Sequence, residues 1–85
     1  MSRWVVYILR CRNGSLYTGI TNNLESRVAK HTAGKGAKYT RAFGPVKLVY
    51  SKAMRSPTAA RKREVVIKSL SKPEKERLVK DFGLK

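Results

Sequence analysis

Trp4-Val5-Val6-Tyr7-Ile8-Leu9 and Leu16-Tyr17-Thr18-Gly19-Ile20-Thr21 are two β-branched and aromatic runs, and Arg12-Asn13-Gly14 lies between them. Asn-Gly between two such runs is the strongest short-range signal for a β-hairpin. Two registers are open. If Asn13-Gly14 alone forms the turn, Tyr7 lies across from Ile20 and Tyr17 points to the opposite face, because side chains alternate along a strand. If Arg12-Asn13-Gly14 forms a three-residue loop with Gly14 in the left-handed conformation, Cys11 faces Ser15, Leu9 faces Tyr17 and Tyr7 faces Gly19. Both phenols then share one face, with Gly19 leaving open space above Tyr7. Only this second register builds a site, and it is the expected one. Arg27 follows Tyr17 by the same ten-residue interval that separates Tyr17 from Tyr7. Two phenols and a guanidinium so spaced can surround one phosphate.

Downstream, Asn22 or Asn23 can cap a helix running to about Thr32. Leu24, Arg27, Val28 and His31 fall at i, i+3, i+4 and i+7, a single stripe that mixes core and titratable side chains. Such a stripe predicts a helix whose inner face borders a site. A basic loop follows, Gly34-Lys35-Gly36-Ala37-Lys38-Tyr39-Thr40-Arg41. It lacks the spacer and Lys-Ser/Thr pair of a nucleotide-binding P-loop. It reads instead as a phosphate-tracking segment, with Lys35, Lys38 and Arg41 on a nucleic-acid backbone and Tyr39 beside the site. A third strand is expected over Val46 to Tyr50. Ser56-Pro57 supplies a cap and first-turn proline for a helix to about Leu70, burying Ala59, Ala60, Val66, Ile67 and Leu70 with Glu64 at the edge. Pro73 opens a last helix, with Leu78, Val79 and Phe82 on its apolar side and Gly83 as its stop. Trp4 and Tyr50 read as core.

The expected fold is α+β, a three-stranded antiparallel sheet flanked by helices, in one domain spanning residues 1–85. A chain of this length buries roughly 60–65% of its unfolded surface. Twenty Lys and Arg against five Asp and Glu give a net charge of +15. Self-repulsion on that scale points to a polyanionic partner, nucleic acid above all. The single cysteine, Cys11, excludes an internal disulfide and reads as a small strand residue. The longest apolar run is too short for a membrane span or a signal peptide, so a cytoplasmic protein without membrane contact is expected.

Val6-Tyr7-Ile8, Tyr17-Thr18-Gly19, Arg27, His31 and Glu64 together resemble the GIY-YIG nuclease family, closest to its small single-domain bacterial subgroup. The resemblance places Tyr7 and Tyr17 in the two tyrosine elements, Arg27 and His31 on the following helix, and Glu64 as the metal-binding glutamate of the next long helix. Val6 stands where the first element has its leading Gly, Thr18 replaces an aliphatic residue, and no Asn follows Asn23. What the resemblance implies is metal-dependent cleavage of DNA by Tyr7, Tyr17, Arg27 and His31, with one Mg²⁺ or Mn²⁺ on Glu64. Gly19 and Lys68 would join the basic loop in contacting nucleic acid. Substrate choice would follow DNA shape rather than sequence, in repair or recombination, with affinity falling steeply as salt rises.

Plainer readings stand beside these. Strand tyrosines are commonly packing residues. A histidine on an apolar stripe is commonly a satisfied core group. Glu64, flanked by Arg61 and Lys68 at i−3 and i+4, suits a surface ion pair. It is nevertheless one of only two acids in the first seventy residues, the other being Glu25. The rival function is a non-catalytic, basic nucleic-acid-binding protein on the same scaffold.

Overall fold

The computed structural model of the protein describes residues 3–33 and 46–83. The basic loop with Lys35, Lys38, Tyr39 and Arg41 lies outside the described residues. Six elements follow in order: β1 (Trp4–Arg10), β2 (Leu16–Thr21), α1 (Leu24–Thr32), β3 (Lys47–Met54), α2 (Pro57–Ser69) and α3 (Lys72–Gly83). The strands form one antiparallel sheet in the order β2-β1-β3. The architecture is α+β, as expected.

The turn between β1 and β2 is the three-residue loop. The Cys11 N–H donates to the Ser15 carbonyl at 2.8 Å, and the Gly14 N–H returns to the Cys11 carbonyl at 2.9 Å. Gly14 has φ of +86°, a conformation that a Cβ would strain. The Asn13 side chain closes the loop by accepting from both the Ser15 N–H and its hydroxyl, at 3.1 and 2.6 Å. Leu9 therefore pairs with Tyr17, and Tyr7 with Gly19.

Alternation then divides the sheet into two covered faces. Val6 and Ile8 point toward α2 and α3, where they join Tyr50 and Ile67 in a buried cluster against which Leu78 and Val79 pack. Removing most of the Ile67 side chain would cost about 2–5 kcal/mol, since nothing else fills that space. Tyr7 and Tyr17 point the other way, toward His31 of α1. Asn23 caps α1 by accepting from the Ser26 N–H at 3.1 Å, and Ser56 caps α2 by accepting from the Ala59 N–H at the same distance.

Four expectations change. The third strand runs to Met54 rather than stopping at Tyr50. Ser51, Lys52 and Ala53 are weak strand formers, but they pair with Tyr7, Val6 and Val5 and satisfy the free edge of the central strand. Val66 is exposed and not part of the buried arc, because α2 turns Ala60, Glu64 and Ile67 inward at i, i+4 and i+7. Trp4 is half-buried. The last helix begins at Lys72, one residue before Pro73, through a capping box: Glu74 Oε1 accepts from the Ser71 N–H at 2.9 Å and Ser71 Oγ accepts from the Glu74 N–H at 3.3 Å.

A clasp absent from the sequence reading ties α3 to the hairpin. The Arg10 guanidinium donates two bonds to the Glu76 carboxylate, at 2.9 and 2.6 Å. Arg10 and Lys72 both donate to the Gly14 carbonyl, at 3.1 and 2.8 Å. The hydrogen bond from Arg10 is the main reason the Glu76 carboxyl is held down to about 2. A depressed carboxyl contributes stability above its unfolded value, 4.5, and loses it as pH falls through the folded value. Thermal melts should therefore weaken from pH 4.5 down to about 2. Glu76→Gln should flatten that interval, and an identical acid profile in the variant would remove the clasp's role.

Candidate phenol–imidazole site

Tyr7 is buried in the middle of the central strand, and its hydroxyl meets His31 Nε2 at 3.3 Å. The ring of His31 lies 6.2 Å from that of Tyr7 and 5.3 Å from that of half-buried Tyr17, centroid to centroid. One imidazole thus touches both phenols. This convergence follows from local sequence: the hairpin register puts the tyrosines on one face, and the stripe of α1 brings His31 over them. His31 is buried although it is formally polar.

Gly19 makes the approach possible. A Cβ built there would stand 2.5 Å from Tyr7 Oη and 2.7 Å from Cζ. The space that the glycine leaves is filled by the Tyr7 ring itself. Gly19 is buried, so its part in the structure is to let the phenol cross β2.

The charges around this cluster decide its protonation. Burial pushes the Tyr7 phenol up to about 12, the charge of Tyr17 and, more weakly, of Glu64 add to the rise, and the guanidinium of Arg27 works against it. Desolvation outweighs the opposing positive charge of Arg27. Burial also lowers His31 below its ordinary value, with Arg27 adding to the effect. Both groups are therefore neutral near pH 7, and one hydrogen is shared across the Tyr7 Oη–His31 Nε2 contact.

Arg27 stands one turn before His31 on the same stripe of α1 and is itself exposed. Its side chain takes no hydrogen bond or ion pair among the described residues. Glu64 projects from the inward stripe of α2, between Ala60 and Ile67, with its side chain 14% exposed. Its carboxylate meets Lys68 Nζ at 3.3 Å, so the ion pair expected from spacing is real. Glu64 is also close enough for its charge to act on Tyr7. Lys68 is exposed beside it.

Among the described residues no three His, Cys, Asp or Glu side chains group to hold a metal ion. The stretch 34–45 contains none of these residue types. Glu64 is then a lone carboxylate donor, which suits Mg²⁺ or Mn²⁺ bound mainly by water and phosphate oxygens. It does not suit zinc, which requires three or four protein ligands.

The buried phenol–imidazole pair thus has a guanidinium one turn away on the same helix, unpaired among the described residues. A family model described as the GIY-YIG catalytic domain matches residues 3–77. The chain belongs to that nuclease family, and nucleic acid is its general class of partner. A UPF0213 protein of Natronomonas pharaonis is 57% identical over 76 residues, covering 89% of each chain. One from Staphylococcus haemolyticus is 46% identical over 95% of this chain and 99% of its own length. Among solved structures, the UPF0213 protein of Bacillus halodurans superposes with a TM-score of 0.59 at 48% identity, over 94% of this chain and 84% of that one. An E. faecalis protein superposes with 0.63 at 36% identity, over all of this chain and 90% of that one. No helix of the described residues is long and apolar enough to cross a membrane.

Proposed function

We propose that the protein is a metal-dependent DNA endonuclease that hydrolyses phosphodiester bonds, choosing its substrate by shape rather than by sequence. The observation that carries this reading is the 3.3 Å contact between Tyr7 and His31, within reach of the charges of Arg27 and Glu64. A structural tyrosine needs a partner for its hydroxyl; it does not need one poised to take its proton beside a guanidinium that is unpaired among the described residues.

Tyr7 is too weak an acid to be ionised in advance, so it acts as a relay. Its oxygen accepts a proton from the attacking water while its own proton passes to His31 Nε2. The imidazole becomes a cation as the water oxygen bonds to phosphorus and the P–O bond to the leaving oxygen breaks, and the departing oxygen takes its proton from solvent. Arg27 opposes that charge in the free protein, but a bound phosphodiester anion offsets Arg27 and raises the proton affinity of His31. Arg27 itself forks onto the non-bridging oxygens as charge grows there. Tyr17, its ring tilted against the same imidazole, hydrogen-bonds the phosphate. Glu64 would hold one Mg²⁺ or Mn²⁺, which supplies Lewis-acid stabilisation of phosphoryl charge. Lys68 and the basic residues Lys35, Lys38 and Arg41 would track the backbone with Tyr39 beside the site, and the protein would have a place in DNA repair or recombination.

The test is a panel of labelled single-stranded, duplex and branched DNA with Mg²⁺, Mn²⁺ or chelator. Tyr7→Phe keeps the ring and removes the relay, and should lower the cleavage rate by about 10²–10⁴-fold. In wild type, kcat/KM should rise through a group titrating below 6.5, the ordinary value for His31, because only the neutral imidazole accepts a proton. A Tyr7→Phe enzyme with the wild-type rate and pH profile would end the relay. The pairing of Glu64 with Lys68 favours the rival reading, a binding protein without cleavage. Tight DNA binding with no product under any metal would establish that alternative.

A further inference from the structure

The geometry points to a second surface, a groove along α2 that docks an acidic amphipathic segment of a partner protein. It lies on the far side of the sheet from the phenols and does not depend on the nuclease reading. The groove has a volume of about 650 Å³ and lies between Trp4 and Ile20 of the sheet and the outer side of α2. Its apolar lining includes Val65 and Val66, which are 61% and 49% exposed. Two adjacent β-branched residues left in water on one helix, beside a half-buried tryptophan, form a contiguous apolar patch of the kind that marks a binding site.

Arg61 and Lys62 belong to the same lining, and neither meets a carboxylate among the described residues. Those two cations select among occupants. A second copy docking face to face would bring Arg61 and Lys62 against their own counterparts, on molecules that each carry a net charge of +15. Nucleic acid satisfies the cations, but bases bind by stacking on aromatic faces, and apart from Trp4 the apolar lining is aliphatic or proline. A helix with leucine-like side chains on one side and Asp or Glu at the margins satisfies both parts: aliphatic groups enter between Trp4 and the valines, and carboxylates meet Arg61 and Lys62. This is helix-in-groove recognition with charges setting orientation. Because Trp4 and Ile20 lie on the α2 face and Tyr7 on the α1 face, such a partner leaves the phenol–imidazole cluster open. The groove would tether the domain to another protein while its basic face engages a polyanion.

The test uses two synthetic peptides of equal length and charge, one a Leu/Glu amphipathic helix and one with every Leu replaced by Ser. Binding is followed by NMR on the labelled protein near physiological salt. The Leu/Glu peptide should shift the Trp4 indole and the Val65 and Val66 methyl signals. Its affinity should fall about tenfold or more in the Val65→Ser/Val66→Ser variant, and the Ser/Glu peptide should bind wild type comparably weakly. Both valines are surface residues, so the fold should survive. Arg61→Glu/Lys62→Glu gives an independent second variant and should weaken the Leu/Glu peptide as well. Equal binding of the two peptides would reduce the effect to bulk charge and overturn the proposal. So would oligothymidylate moving the groove signals where the peptide does not, or a concentration-dependent dimer that the double-serine variant abolishes.

Discussion

Glu64→Gln should lower the cleavage rate by about a thousandfold while leaving DNA affinity within roughly twofold. A metal-borne charge on a phosphoryl oxygen contributes several kcal/mol to the transition state, and each 1.36 kcal/mol is about tenfold in rate. Glutamine keeps the size and inward direction of the side chain but removes the anionic donor. Its stability cost should be small, because the lost partner, Lys68, is an exposed i+4 pair worth about 0.3–0.5 kcal/mol. Binding should not suffer either, since a negative charge is removed from beside a polyanion. The measurement is cleavage of the preferred DNA across a Mg²⁺ titration, with affinity measured in parallel under chelator. Wild-type cleavage by Glu64→Gln would exclude this carboxylate as the metal ligand. A parallel fall in affinity would assign it to binding instead.

Gly19→Ala should be more damaging to the fold than any other single-methyl addition in the hairpin. The new Cβ would fall 2.5, 2.7 and 3.2 Å from Oη, Cζ and Cε2 of Tyr7. The ring is 2% exposed and cannot swing outward, so the conflict must be relieved by shifting β1, β2 or the His31 contact. Overpacking of this sort costs about 1–3 kcal/mol. For a domain of this size that is a melting point lower by roughly 4–8 °C per kcal/mol. Activity should fall further than stability, because a displacement of about 1 Å at a reacting group can cost 10²-fold. Combining the change with Tyr7→Phe should restore only part of the stability, since Cζ and Cε2 remain in the way. Calorimetry of the two single variants and the double variant checks this. A Gly19→Ala protein with the wild-type melting point and rate would mean that the phenol does not cross β2 at that position.

Much of the site was readable before any coordinates because it is local. The Asn13-Gly14 turn and the offset between Tyr7 and Tyr17 fix the pairing of Tyr7 with Gly19, and the α1 stripe carries His31 to the same side. What escaped was non-local. Ser51, Lys52 and Ala53 look like loop residues, and only the exposed edge of β1 makes them a strand. Arg10 and Glu76 are 66 positions apart, and no periodicity links them. Val66 was assigned inward because it is apolar, whereas the helix phase set by Ala60 and Ile67 leaves it outside. The direction of the Tyr7 shift depends on how deeply the ring is buried, and burial is a property of the assembled sheet.

The central strand has a kinetic consequence. β1 is hydrogen-bonded along both edges, and Val6 through Leu9 are almost completely shielded from water. Amides in such a strand exchange only when the whole domain opens, whereas a nine-residue helix such as α1 can fray by itself. Tyr7 therefore keeps its position until global unfolding, while Arg27 and His31 ride on an element that can loosen earlier. On heating, turnover should fade before the cooperative melt, and it should return fully on cooling from that intermediate range.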